Sequence, residues 1–437
     1  MRLPPLAATL LLAAPCAAPL AAQQAPQRLE LAALQRAAVE RDARATQRDL
    51  LTRGTALRVQ SLRDGLKPQF ALTANNTHLS DVTMVPLRIP GQSIPIPPKD
   101  RWAGALDVSQ VLYDGGMTGR HEAVEAARLA EGVAGVDAAL EPLRDEVSRN
   151  FFAVALLQSS ERELALSVAD LEAVLADTRV RVREGAALGR DSATVRAQWR
   201  LAQSRLAQAR SARHAALTNL ERLTGVSASD SAAVVLPDWG AELRALDSAG
   251  DVASLRARPE FARLARSRDR LDKERALGGV ENRPRVLAFG EVGYGKPGLN
   301  QFDPEPQNFW QAGVKVEWTP FTWGSADRTR ELATLQQRSL VTEERALAEQ
   351  LARAVQADRD DRVRLRTQLA DDDEVIVLRD IALAQGEAQR REGVITAAEA
   401  VSLRSDLTEA RLTRERHRIE LAQAEARIAT TLGLSPR

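Results

Sequence analysis

Few residues of this 437-residue sequence are placed to do chemistry. Its four histidines, His78, His121, His214 and His417, lie far apart, and none has another His or Cys at the spacing of a zinc site. The late pair, His214 and His417, reads as surface rather than as ligands. The run Asp371-Asp372-Asp373-Glu374 gathers carboxylates, but it lacks the glycine and the alternating ligands of a calcium loop. It reads as a solvated or pore-lining helix face. Gly290-Glu291-Val292-Gly293-Tyr294-Gly295 has the glycine spacing of a nucleotide loop, yet it sits inside an alternating stretch and lacks the Lys-Ser/Thr pair that holds phosphate. There is no serine elbow and no nucleophile beside a plausible base. The residues thus imply no catalysis, no metal and no cofactor, and function has to be read from the elements.

Composition narrows those elements. The formal net charge is +1, so a nucleic-acid partner has no electrostatic support. With 27% charged and 44% hydrophobic residues, the chain is neither disordered nor a bundle of membrane helices. Met1-Arg2, the apolar residues 6–12 and the small residues 17–22 read as a signal peptide, residues 1–22. Pro15 and Pro19 break the run too early for a membrane anchor, and Pro15 stands where a small residue would precede a lipidated Cys16. Cys16 is the only cysteine, so a processed chain has no thiol. No later stretch approaches the ~18 apolar residues of a membrane helix.

The chain is written twice. Val182-Arg183-Glu184-Gly185 is echoed by Arg390-Arg391-Glu392-Gly393, and Leu223-Thr224-Gly225 by Thr431-Leu432-Gly433, both 208 residues on. Leu112-Tyr113-Asp114-Gly115 is echoed by Phe321-Thr322-Trp323-Gly324, and Lys67-Pro68 by Arg283-Pro284. Matches in one order at nearly one offset argue for duplication, and the period is far too long for a solenoid unit. This predicts a first repeat over 23–225, a connecting segment over 226–250 and a second repeat over 251–437. Each repeat should run helix, strand, strand, long helix, turn, helix. Proline is absent from 143–236 and 321–435, which permits very long helices. Val195, Trp199, Ala202, Leu206, Ala209, Ala216, Leu220 and Leu223 form a heptad-like stripe. A helix from about 118 to 184 would span on the order of 100 Å at about 1.5 Å per residue, too long for a compact domain.

Alternation predicts strands at 69–80, 102–112, 285–294 and 308–319. Trp102, Leu106, Val108 and Leu112 alternate with Ala103, Ala105, Asp107 and Ser109; Trp310, Ala312, Val314, Val316 and Trp318 alternate with Gln311, Gly313, Lys315 and Glu317. One face of each strand is apolar and the other polar. Each has about the 9–11 residues that a tilted strand needs to cross a bilayer. Aromatics make up only 4% of the chain, yet Trp102, Tyr113, Tyr294, Trp310, Trp318, Phe321 and Trp323 cluster here. The first six are candidates for the aromatic girdle of a membrane barrel; the edge of a soluble sandwich is the plainer possibility. Proline-rich residues 85–98 and 296–307 would be long loops. Four strands cannot close a barrel, since backbone in lipid must be fully paired, so the chain must oligomerise through its strands.

These residues resemble the TolC-type outer-membrane factors of bacterial efflux pumps and type I secretion systems, over about residues 29–434. In that family each half opens with a short helix, like Leu29-Glu30-Leu31-Ala32-Ala33-Leu34-Gln35-Arg36-Ala37 here, and the second with Arg258-Pro259-Glu260. The strand-to-helix junction resembles Gln110-Val111-Leu112-Tyr113-Asp114-Gly115-Gly116 and, more loosely, Pro320-Phe321-Thr322-Trp323-Gly324. The resemblance implies a mainly α fold with a small transmembrane β part. Tandem helical hairpins would form a periplasmic tube, and four strands per chain would enter a trimeric twelve-stranded barrel in the outer-membrane lipid. It implies a passive channel rather than an enzyme, a homotrimer whose far end docks on a periplasmic adaptor and an inner-membrane pump. The adaptor-contact tips would be Gly185, Ala186, Ala187, Leu188 and Gly393, Val394, Ile395, Thr396. Six residues beyond each tip glycine, where the family narrows its channel with acids, stand Asp191 and Glu399. Without that resemblance they are acids placed at helix N-termini, where the dipole favours them. A further family acid is Ser402 here, which puts a doubled acid ring in doubt. Two rivals stay open. A periplasmic hairpin adaptor would need a lipoyl-like domain and a single hairpin; a structural coiled-coil envelope protein would not need alternating strands flanked by tryptophan.

Overall fold

A computed structural model describes residues 27–83, 96–249, 255–321 and 323–434. The leader and residues 84–95 of the first proline-rich segment lie outside the described residues. The first copy comprises β1 (Arg28–Glu30), α1 (Leu31–Arg41), α2 (Gln47–Asp64), β2 (Gln69–His78), β3 (Asp100–Tyr113), α3 (Met117–Arg183) and α4 (Gly189–Thr224). A connector carries β4 (Ala233–Val235) and α5 (Gly240–Ala249). The second copy comprises α6 (Pro259–Gly278), β5 (Arg285–Lys296), β6 (Gln307–Glu317), α7 (Ser325–Arg391) and α8 (Ala397–Thr431). The four long strands match the alternation to within two residues at each end.

Helices α3 and α7 each run for 67 residues, on the order of 100 Å at about 1.5 Å per residue. Each begins after a left-handed glycine, Gly116 at φ 83° and Gly324 at φ 75°. Each ends at another, Gly185 at φ 76° and Gly393 at φ 77°. At both ends the following amide reaches back five residues, Ala186 N–H to Arg181 O at 2.8 Å and Val394 N–H to Gln389 O at 2.9 Å. This Schellman closure stops the helix and turns the chain into the returning α4 or α8.

Helix α3 runs through Pro142, just outside the proline-free stretch. Proline inside a helix costs about 3 kcal/mol. Here it is offset by dense surroundings: Leu140, Leu143, Val147, Phe151 and Phe152 all lie in the largest core cluster. Arg44 Nη1 also donates to the nearby carbonyl of Ala139 at 2.6 Å. That core forms a waist at mid-length of the long helices. Leu31 and Leu34 of α1, Leu220 of α4, Val355 of α7, and Ile428 and Leu432 at the end of the last helix meet it there. On one side of the waist α2 and α6 pack along α3; on the other α4 and α8 form hairpins with α3 and α7. Strand β1 pairs in parallel with β4, Leu29 opposite Val234, tying the start of the chain to the connector. Alternation did not predict this pair, because three residues are too few to show a period. Among the described residues no helix is long and apolar enough to cross a membrane.

Candidate functional site

Strands β2, β3, β5 and β6 form one antiparallel sheet in that order. Directly opposite residues share a face, so the register sorts the side chains. Phe70 and Leu72 lie opposite Val108 and Leu106. Leu106 continues to Val292 and Gly104 to Tyr294, and Val292, Ala288 and Val286 continue to Trp310, Val314 and Val316. The middle of one face is therefore an apolar band, and it is open: Leu72 is 85% exposed and Trp310 72%. The other face is polar. Thr73 Oγ1 donates to Asp107 at 2.9 Å, Gln311 donates to Glu291, and Lys315 pairs with Glu317 at 2.6 Å.

Glycine on the polar face makes room for rings. Gly293 lies opposite Phe309 and Gly313 opposite Phe289. A Cβ on Gly293 would stand 2.5 Å from the Phe309 ring and 2.8 Å from the carbonyl oxygen of Gly104. The glycine spacing that suggested a nucleotide loop is thus cross-strand packing.

The girdle candidates divide into two groups. Trp102, Tyr294 and Trp310 gather at the loop end, with the Trp102 and Tyr294 rings edge-on at 5.5 Å. Tyr113, Trp318 and Phe321 gather at the helix end. A bulge between Val111 and Tyr113 brings Tyr113 opposite Val286, on the apolar face. Trp318 Nε1 donates to Asn282 O at 2.9 Å. The outer edges of β2 and β6 have no strand partner among the described residues.

The junctions from sheet to long helix differ between the copies. Asp114 accepts from Gly116 N–H at 2.8 Å and Thr118 N–H at 2.6 Å, capping α3. Its carboxyl is held below the usual range: those donors outweigh the burial that would raise it. Before α7, Trp323 at φ 51° takes the place that Gly115 at φ 70° holds before α3, each one residue ahead of the left-handed N-cap glycine.

At the waist, the Arg258-Pro259-Glu260 segment acts as a staple. Arg258 is buried, pairs with Glu260 at 2.8 Å, and donates to the last carbonyls of α8, Thr430 O at 3.3 Å and Thr431 O at 3.5 Å. Pro259 starts α6, where its missing N–H costs nothing. Burial pushes the neighbouring carboxyls of Glu141 and Asp145 up, against the attraction of Arg258.

At the far end, the tip residues Gly185, Ala186, Leu188, Gly393 and Val394 are exposed, while Ala187, Ile395 and Thr396 are half-buried. Leu188 is 57% exposed and Val394 68%. Asp191 and Glu399 occupy matching places in the first turn of the returning helices. Leu188 N–H donates to Asp191 at 3.4 Å. Thr396 N–H donates to Glu399 at 2.8 Å, while Glu399 N–H donates to Thr396 Oγ1 at 3.2 Å, a reciprocal cap. The donated bonds of the Thr396 N–H and hydroxyl hold the Glu399 carboxyl below the usual range. In the protomer both acids therefore close hairpin turns. Glu399 is exposed, whereas the Asp191 side chain is largely covered.

A clasp across the copies was not legible from spacing. Asp177 of α3 pairs with Arg390 of α7 at 2.6 Å, although the two lie 213 residues apart in sequence. Arg181 also reaches Asp177, at 3.3 Å, and Arg390 O, at 3.4 Å. The acid run is partly engaged rather than simply solvated: His417 pairs with Asp372 at 2.6 Å and Arg414 with Asp373 at 2.9 Å, joining α8 to α7. His417 thus faces the hairpin seam, not the surface. His214 is an exposed side chain 3.5 Å from Asp230. Among the described residues no group of carboxylates, His or Cys could hold a metal ion.

No family model matches this sequence, and no curated protein matches it. Solved structures match it in fold. CusC superposes with a TM-score of 0.68 at 14% identity, covering 92% of each chain. The outer membrane protein VceC of Vibrio cholerae gives 0.65 at 13% identity, covering 93% of this chain and 96% of its own. The open state of the MtrE outer membrane channel of Neisseria gonorrhoeae gives 0.66 at 18% identity, covering 93% and 89%. At these identities the likeness is one of fold.

Proposed function

We propose, taking this TolC-type outer-membrane channel fold as the premise, that the chain is one protomer of a homotrimeric outer-membrane duct that conducts substrates passively. The observation that carries the reading is the two-faced sheet, both of whose edges are unpaired among the described residues, joined to helices on the order of 100 Å long. Backbone edges cannot stay open in lipid. Because β2 and β6 run in opposite directions, β6 of one copy can pair antiparallel with β2 of the next, a head-to-tail contact that closes into a ring. Three copies give twelve strands, with the apolar face outward and the Asp107, Glu291 and Lys315 face lining the passage. The aromatic groups then sit at the two boundaries of the apolar band. The solved neighbours named as outer membrane channels support the same reading.

On this reading residues 1–22 are a signal peptide, 23–225 and 251–437 the two repeats, and 226–250 their connector. The helices extend into the periplasm. Leu188 and Val394 at the tips offer apolar contacts to a periplasmic adaptor, which links the duct to an inner-membrane pump of an efflux or type I secretion system. Glu399 is the stronger gate candidate, because its carboxylate is exposed and stays ionised; one per copy would form a negative ring. Asp191 is the weaker. No step requires catalysis or a cofactor: transport is diffusion along the pore.

Membrane fractionation, heat-modifiable mobility on gels and planar-bilayer conductance test the proposal. The expected result is an outer-membrane oligomer that dissociates on boiling and forms discrete channels. A soluble monomer without conductance would overturn it.

A further inference from the structure

A groove of about 490 Å³ lies between the end of β6 and the first turn of α7. Its walls are Phe321 and Trp323, and its rim is Asn282, Asp327 and Arg330. Trp323 is 91% exposed and Phe321 82%, so neither ring serves the protomer's core. Trp323 also has a φ of 51°, a left-handed conformation seen at no other non-glycine residue among the described ones. Its backbone is held there partly by Arg328, whose Nη1 donates to Trp323 O at 3.1 Å. The fold thus accepts strain to present a bare indole.

Two observations say what covers it. The groove is continuous with the apolar face of the sheet through Trp318, whose indole N–H is bonded to Asn282 at the rim. It therefore lies at the boundary of the surface that the outer-membrane reading puts in lipid, where amphipathic rings are favoured. The rim charges come as a pair: Arg330 and Asp327 are 2.7 Å apart, one turn apart on an exposed helix face. Such a pair is held weakly and opens readily. A zwitterion that carries both a phosphate and a hydrogen-donating ammonium satisfies both partners. A purely anionic headgroup leaves Asp327 facing negative charge, and a quaternary ammonium has no N–H to give it.

We propose that this groove seats the phosphoethanolamine headgroup of a glycerophospholipid from the leaflet nearest the helices. The phosphate accepts from Arg330 and the Asn282 side-chain amide, the ammonium donates to Asp327, and Phe321 and Trp323 flank the glycerol and first acyl carbons. The inference rests on the outer-membrane channel reading, and the test separates the two.

Full-length oligomer in detergent is offered equimolar POPE, POPG and POPC and examined by native mass spectrometry. The same protein is reconstituted in vesicles whose phospholipids are brominated near the glycerol, and tryptophan quenching is measured. Retained POPE should exceed POPG and POPC by about threefold, the scale of an exposed charge contact. Asp327→Asn should abolish that preference, and Trp323→Leu should remove an interfacial quenched component, with the oligomer band intact in both. Equal retention of the three lipids would overturn the proposal. So would unchanged quenching in Trp323→Leu, which would mean that the indole faces a second copy or water. Quenching of Trp102 and Trp310 reports on the barrel itself: with none in any variant, the channel reading fails first.

Discussion

Helices α3 and α7 have the same length, the same kind of glycine start and the same turn at the tip, yet one is buried and the other bare. Helix α3 sends Val136, Leu140, Val147, Phe151 and Phe152 into the waist, where the two phenyl rings meet edge to face at 5.2 Å. Helix α7 buries Ala326, Ala333, Val355, Arg362, Leu365 and Gly386 among its described residues, and leaves Leu332, Leu335, Val363, Val377, Leu378 and Ile381 exposed. The two halves thus share a skeleton but carry unequal duties. The first copy supplies the core that holds a protomer together. The second presents apolar side chains that a single chain leaves uncovered, as the proposed ring requires.

Truncating a ring in the first copy should have the largest effect. Phe151→Ala is expected to cost about 3–5 kcal/mol, measured by denaturant unfolding, and to abolish both protomer and oligomer. The opposite substitution in the second copy sharpens the contrast. Leu378→Glu combined with Ile381→Glu should leave protomer helicity unchanged by circular dichroism, since both sites are exposed, yet remove the oligomer band. If the pair instead unfolded the protomer, α7 would be as much a part of the core as α3.

The two strand–helix junctions offer a smaller version of the comparison. Asp114→Ala removes a cap and should destabilise by about 1 kcal/mol, the usual value for such a loss. Trp323→Gly relieves a left-handed conformation and uncaps nothing. It should be neutral or stabilising in the detergent-solubilised protein, by about 1 kcal/mol at most, as read by the shift in unfolding midpoint.

How far the sequence revealed this division depends on the range of the forces involved. Strands, long helices and hairpin tips were legible because they are local: alternation marks β6, the absence of proline marks α7, and Gly185 and Gly393 mark the turns. The difference in burial was not, because Leu378 and Phe151 are equally apolar and only the fold decides which finds neighbours. The Asp177–Arg390 clasp was also invisible, since nothing in residue type singles out one arginine among many. Asp191 and Glu399 were found by counting from the tip glycines, but their capping bonds show why an acid there carries a structural duty as well. The Arg258 staple was visible as a short motif, and its purpose became clear only when α8 brought Thr430 and Thr431 beside it.

The smallest expected effect separates waist from tips by pH. At the tips, the hydrogen bond from Arg390 holds the Asp177 carboxyl below its ordinary value of 3.8. That contribution to stability is fully present above the unfolded value and is lost as pH falls through the lower folded value. Asp177 is 43% exposed, so the pair is worth about 1 kcal/mol at most. At the waist the sign is reversed. Burial raises the Glu141 and Asp145 carboxyls, so the folded chain takes up protons at a pH where the unfolded chain has not, and stability grows as pH falls through the folded values. Acidification from neutrality should therefore first raise the amide protection factors, exchange rates taken relative to the intrinsic rate at each pH, in 136–156 around the waist. Only below about pH 4 should it speed exchange in 175–195 and 385–400 at the tips. Arg390→Ala should make tip exchange fast already at neutral pH and flatten its acid dependence, leaving the waist unchanged. A tip whose exchange ignores both pH and Arg390→Ala would mean that the hairpins are held by their apolar seam alone.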